Sequence, residues 1–230
     1  MNSGLNALRT DLNFTNPNVS GYMRSDMMQI LLMVVWFFAP PAGEQFDVVV
    51  VGATPAGVAA AYNAAREGAN VALVEETVHI GGLASGGLSN TDFIDFESVG
   101  GTFLEFMRRV ERHYAATYGP DSQQVRDSVL GGYYEPRVAR KVFEDMLAEQ
   151  KVSVRKLSRL VRVEVSGGRL TAVDFRNLKD GKTFRMQASV FIDATYEGDL
   201  MAQAGVPYHL GCEAQSKYGE TLAPAEENRW

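Results

Sequence analysis

Residues 46 to 75, FDVVVVGATPAGVAAAYNAAREGANVALVE, constrain the fold more than any other stretch of the chain. Val48-Val49-Val50-Val51 is a short, β-branched apolar run, the form a parallel strand takes when both of its faces are buried. Gly52 follows at once and Gly57 closes a tight turn. The helix that begins at Val58-Ala59-Ala60-Ala61 offers almost no side-chain bulk to a sheet. A second apolar run, Val71-Ala72-Leu73-Val74, ends in the acid Glu75, about twenty residues beyond the turn, which is the layout of a dinucleotide-binding βαβ unit. Such a unit sets a pyrophosphate against the free N–H groups and positive end of a helix, and the acid accepts from ribose hydroxyls. In Gly52-Ala53-Thr54-Pro55-Ala56-Gly57 a threonine stands where the usual pattern has its central glycine. Its β-branch narrows the backbone approach, and its hydroxyl is expected to donate to a phosphate oxygen. Pro55 suits the first turn of a helix.

A chain of 230 residues with 46% hydrophobic content has room for one large domain or two small ones. A net charge of −6 with no basic stripe argues against a nucleic-acid partner. Cys212 is the single cysteine, so no intrachain disulfide forms, and His79, His113 and His209 show no metal-ligand spacing. Residues 1 to 26 are polar and unpatterned. The apolar stretch Ile30 to Ala39, about ten residues, is too short for a stable membrane span. With Arg24 before it, the segment 27–43 reads as a signal peptide, translation starting at Met23, Met27 or Met28, and the protein is then exported to the periplasm or beyond the cell. The competing reading is a helix capping the fold of a cytoplasmic protein.

Beyond Glu75 and Glu76, the segment His79-Ile80-Gly81-Gly82-Leu83-Ala84-Ser85-Gly86-Gly87-Leu88 concentrates small residues outside any regular period, as where backbone passes close to a flat ligand. Residues 101 to 118 read as a helix with Phe103, Met107, Val110 and Tyr114 on its apolar face; a second helix starts near Pro136 and runs to about Gln150. Alternating Val161, Val163 and Val165, the turn Ser166-Gly167-Gly168 and the return 170–175 signal a hairpin, and 179–182 a second turn. A strand at 188–192 leads into Asp193-Ala194-Thr195-Tyr196-Glu197-Gly198-Asp199, a second small-residue turn after a buried strand. Glu197 and Asp199 either face a ligand or cap the next helix.

The segments VVVVGATPAGVAAA, HIGGLASGGLSNTDF and FIDATYEGDLMAQAG, with the tail YGETLAP, resemble FAD-dependent oxidoreductases with a glutathione-reductase-like flavin domain, in particular a subgroup labelled xanthan-lyase-like. The likeness covers about 46 to 224 and includes the Thr-Pro-Ala form of the turn. It implies an α/β, Rossmann-like FAD-binding domain: a parallel sheet with the βαβ unit, plus a β-hairpin or meander and inserted helices. It implies that Gly52, Thr54, Ala56 and Gly57 hold the FAD pyrophosphate, with Pro55 in the same turn. Glu75, with Glu76 beside it, would bind the adenosine ribose. Gly81, Gly82, Leu83 and Ser85-Gly86-Gly87 would lie along the ribityl chain and isoalloxazine. Leu160 would give backbone contacts to adenine, and Ala194 and Thr195 would close over the cofactor. No metal is implied.

The reading that follows is an N-terminal fragment: an extension at 1–43, an FAD-binding domain at 44–206, and the start of a truncated substrate domain at 207–230. The flavin would accept hydride from a small organic substrate. A missing C-terminal half or an oligomer partner is expected to complete the site. The rivals are an NAD(P)-dependent dehydrogenase, which leaves 81–87 and 193–199 unused, and a non-catalytic nucleotide-binding module. No side chain is singled out as catalytic; Tyr196, Glu197 and Asp199 are candidates only by proximity.

Overall fold

In the computed structural model, residues 43–88, 90–92 and 95–228 are described; 27–42 of the expected signal segment lie outside them. Six strands form one sheet: β1 (Glu44–Val51), β2 (Val71–Val74), β3 (Ser153–Arg155), β4 (Ser158–Ser166), β5 (Arg169–Asn177) and β6 (Thr183–Asp193). Their spatial order is β3-β2-β1-β6-β5-β4. The β3-β2-β1-β6 half is parallel, and β4, β5 and β6 form an antiparallel meander. Among the described residues seven α-helices accompany it: α1 (Pro55–Arg66), α2 (Gly82–Gly86), α3 (Gly101–Tyr118), α4 (Gln123–Asp127), α5 (Pro136–Glu149), α6 (Asp199–Gln203) and α7 (Gln215–Tyr218). This is the Rossmann-like α/β arrangement expected from the sequence.

Strand alternation divides the core between the two faces of the sheet. Val50 and Leu73 pack with Val58 and Ala61 of α1, Phe106, Met107 and Val110 of α3, and Val142, Phe143 and Met146 of α5. Their neighbours Val49, Val51, Ala72 and Val74 face the other way, onto Val173, Phe175, Met186 and Leu200. A strand buried on both faces needs apolar residues at every position, which is why β1 and β2 read as unbroken runs. In α3 the buried set is Phe106, Met107, Val110 and Tyr114. Phe106 thus joins the expected face, with its ring stacked 4.4 Å from that of Phe143.

The polar side of α3 is an interhelical tie as well as a solvated surface. Tyr62 of α1 donates to Glu105 at 2.8 Å, and Arg109 donates to Glu105 at 2.7 Å and to Glu149 of α5 at 2.6 Å. The Arg109 guanidinium holds the carboxyls of Glu105 and Glu149 below the usual glutamate range. Burial, reinforced by Glu105, pushes the Tyr62 phenol up. Among the described residues no helix is long and apolar enough to cross a membrane.

Candidate functional site

Strand register brings the predicted residues to one edge. Val51 stands opposite Val74 on one side and Asp193 on the other, so Gly52, Glu75 and Ala194 emerge together from three adjacent strand ends. In parallel sheets, ligands bind in the crevice outside such carboxyl ends.

The turn after β1 is built from close backbone approaches. Gly52 has φ +95°, and a Cβ there would lie 2.6 Å from the Ala194 carbonyl oxygen. A Cβ on Gly57 would lie 1.9 Å from the carbonyl oxygen of Gly52. Thr54 caps α1: its hydroxyl accepts from the Gly57 N–H at 3.2 Å and donates to the Ala194 carbonyl at 2.9 Å. This corrects the expectation that the hydroxyl serves a phosphate, because its single proton is already given to Ala194. Val58 N–H is bonded to the Thr54 carbonyl and Pro55 has no N–H, so Ala56, exposed at the helix start, keeps the one first-turn N–H open to a ligand.

Glu75 folds back on the turn. One carboxylate oxygen accepts from Ala53 N–H at 2.7 Å and the other from Thr77 N–H at 2.8 Å. Gly81 N–H donates to the Ala53 carbonyl at 2.7 Å, tying the glycine-rich segment to the same loop. That segment forms the short helix α2. Gly81 packs inward on the Phe143 ring, and the buried Ser85 hydroxyl donates to the Ile80 carbonyl at 2.6 Å, holding the segment's own turn.

At the end of β6, the Asp193 carboxylate accepts from the N–H and hydroxyl of Thr195, at 2.9 and 2.7 Å, and from Met201 N–H at 2.8 Å. The Thr195 hydroxyl accepts from Gly198 and Asp199 N–H at 2.8 and 3.1 Å. Asp193 and Thr195 therefore supply the side-chain caps of α6, in place of Glu197 or Asp199. Asp-x-Thr before a helix was the available signal for this, since both side chains accept from helix N–H groups.

These elements enclose a cavity of about 510 Å³, within the range of ligand pockets. Of the sequence-predicted set it is lined by Gly52, Thr54, Glu75, Glu76, Gly82, Leu83, Gly86, Leu160 and Thr195. Pro55, Ala56, Gly57, Gly81, Ser85, Gly87 and Ala194 stand outside its lining; Gly57, Gly81 and Ala194 support its walls from behind. His79 and Ser158 line it without having been assigned to the site, and Tyr196, Glu197 and Asp199, candidates by proximity, line it too. Glu76 is held 2.7 Å from the Arg159 guanidinium. No lysine or arginine is among the described lining residues, so a phosphate group in the cavity would depend on backbone N–H donors rather than on cationic side chains.

The family described as FAD dependent oxidoreductase matches residues 47–228. Thiamine thiazole synthase from Pyrococcus abyssi (strain GE5 / Orsay) is 34% identical over 86 residues, which are 37% of this chain and 34% of that protein. The match thus spans about a third of that curated relative. The crystal structure of AlpK superposes with a TM-score of 0.50 at 18% identity, over 74% of this chain and 35% of AlpK, a likeness of fold. Thermovibrio ammonificans THI4 gives a TM-score of 0.45 at 16% identity, over 95% of this chain and 86% of that one. With the family match running from β1 through the 193–199 turn and beyond, the chain belongs to the FAD dependent oxidoreductase family, and its cofactor is FAD.

Proposed function

We propose that FAD occupies the cavity at the ends of β1, β2 and β6, and that the chain is the cofactor-binding part of an enzyme that takes hydride from a small organic substrate. The observation that carries this is convergence: three segments far apart in sequence, each selected for its small or acidic residues, line one 510 Å³ space. The residues fit the group. The tight approaches at Gly52 and Gly57 draw the start of α1 against the end of β1, and the exposed Ala56 N–H stays open for a pyrophosphate. A carboxylate has about four acceptor sites, and Glu75 spends two of them on protein N–H groups, leaving capacity for ribose hydroxyls. Leu160 borders the far side, where adenine would sit, and Thr195 borders the turn after β6. When bound, FAD supplies the hydride acceptor; the protein's part is to hold and orient it and to exclude water.

Residues 27–43 are proposed as an export signal and 207–230 as the beginning of a substrate-facing region. Val206, Tyr208, Leu210 and Leu222 are between 48% and 98% exposed, which supports a further protein surface packing there.

The test is an FAD titration of the full chain after cofactor removal. Glu75→Ala removes a charged acceptor that both orders the turn and faces the ribose, and is expected to weaken FAD binding about 10- to 100-fold. Circular dichroism serves as the check on folding. Equal affinity in a folded variant would remove Glu75 from the site. Tighter binding of NAD than of FAD by the parent chain would favour the dehydrogenase reading instead.

A further inference from the structure

We infer that Tyr196 is a latch across the cofactor cavity, one that FAD must displace and a mononucleotide need not. The inference rests on the assignment of FAD to this cavity and adds a residue that controls entry to it. Tyr196 lies in the turn after β6, and its hydroxyl accepts from the Leu83 N–H of α2 at 2.8 Å. It thereby connects two segments that both border the cavity. The space at Gly82 is taken up by this contact: a Cβ there would lie 2.3 Å from the Tyr196 oxygen and 3.2 Å from the Thr54 backbone. The tyrosine hydroxyl therefore sits against α2 at Gly82, close to the Thr54 turn, in a cavity that Glu75, Glu76 and Leu160 also line.

Two properties mark the contact as one that opens. The Tyr196 residue is 58% exposed, so little packing holds it. The Leu83 bond is its single hydrogen bond among the described residues, and its own hydroxyl proton has no acceptor there. One such bond biases the closed form by roughly 2- to 10-fold. An AMP-sized ligand held at Glu75, Glu76 and Leu160 would leave the Tyr196–Leu83 contact in place. The flavin half of FAD would continue past Thr54 toward Gly82 and Gly86, along the path that the tyrosine hydroxyl crosses.

Tyr196→Phe in the full chain, freed of cofactor, tests this. It keeps the exposed ring and deletes only the hydroxyl. Hydrogen exchange at the Leu83 amide is expected to rise about 2- to 10-fold. FAD association, followed by flavin fluorescence in stopped flow, is expected to accelerate by a similar factor, while AMP binding, followed by competition, stays unchanged. Unchanged FAD association, or equal acceleration for AMP and FAD, would overturn the latch. If the parent chain binds neither AMP nor FAD, the cavity assignment fails and the latch falls with it.

Discussion

Gly57→Ala is expected to cost the chain roughly 3 kcal/mol or more of stability, because the new methyl group has nowhere to go. Its Cβ would stand 1.9 Å from the Gly52 carbonyl oxygen and 3.1 Å from the Ala194 Cβ. The first obstacle is backbone, so no side-chain rotation relieves it. Moving Gly52 is blocked in turn, since Gly52 is wedged against Ala194 and Thr195 and its N–H is bonded to the Val74 carbonyl at 2.8 Å. The strain therefore spreads to β2 and to the turn after β6, both walls of the cavity. Urea unfolding of the parent and variant chains measures the effect, and FAD binding should fail along with the turn. A loss below about 1 kcal/mol would mean that α1 can back away from the sheet, contrary to the packing of Val58 and Ala61.

Arg185→Met is expected to be the next most damaging change. Arg185 of β6 is only 8% exposed and reaches across the β4-β5-β6 meander. Its guanidinium donates to both oxygens of Asp174 at 2.8 and 3.0 Å and to Glu164 at 2.8 Å. Arg185 and Asp174 are cross-strand partners in the β5–β6 register. Deleting one partner strands the other, which for a fully buried pair costs about 3–5 kcal/mol. Here the Asp174 and Glu164 side chains remain 17% and 42% exposed, so about 2–3 kcal/mol is the expected loss. The same contact gives an acid signature. The Arg185 guanidinium holds the Asp174 carboxyl below its ordinary value of 3.8. A depressed folded value stabilises the fold above the ordinary value, and that stability is lost as pH falls through the folded value. Melting temperature followed from about pH 6 to pH 2 should therefore fall less steeply below pH 3.8 for Arg185→Met than for the parent chain. Parallel pH profiles would show that Asp174 owes its acidity to something else.

The parts of the fold legible in the sequence were those set by local pattern. The buried strands β1 and β2, the amphipathic helices α3 and α5, and the glycine-turned hairpin each carry their periodicity within a single segment. The short helices were not legible for the same reason. In α2 two glycines occupy five positions, which opposes helix formation, and the segment turns because Gly81 is bonded to Ala53 and Ser85 to Ile80. In α4 the cue was only the Ser122 cap, inside a stretch that reads as loop. The site shows the same division. Its glycines and acids were visible from spacing, whereas the commitment of the Thr54 hydroxyl depends on Ala194, 140 residues away, and the Tyr196–Leu83 bond spans 113 residues. Which hydroxyl is available to a ligand is decided by such distant partners, and one chain's pattern does not encode them.

The most direct measurement is the visible absorption spectrum of the purified full chain, with chromatographic identification of what it releases on denaturation. Flavin bands near ~375 and ~450 nm, with FAD released at about one per chain, are the expected result. A folded, colourless chain that takes up no FAD on titration would contradict the placement of the cofactor between the glycine turn, Glu75 and the turn at Thr195.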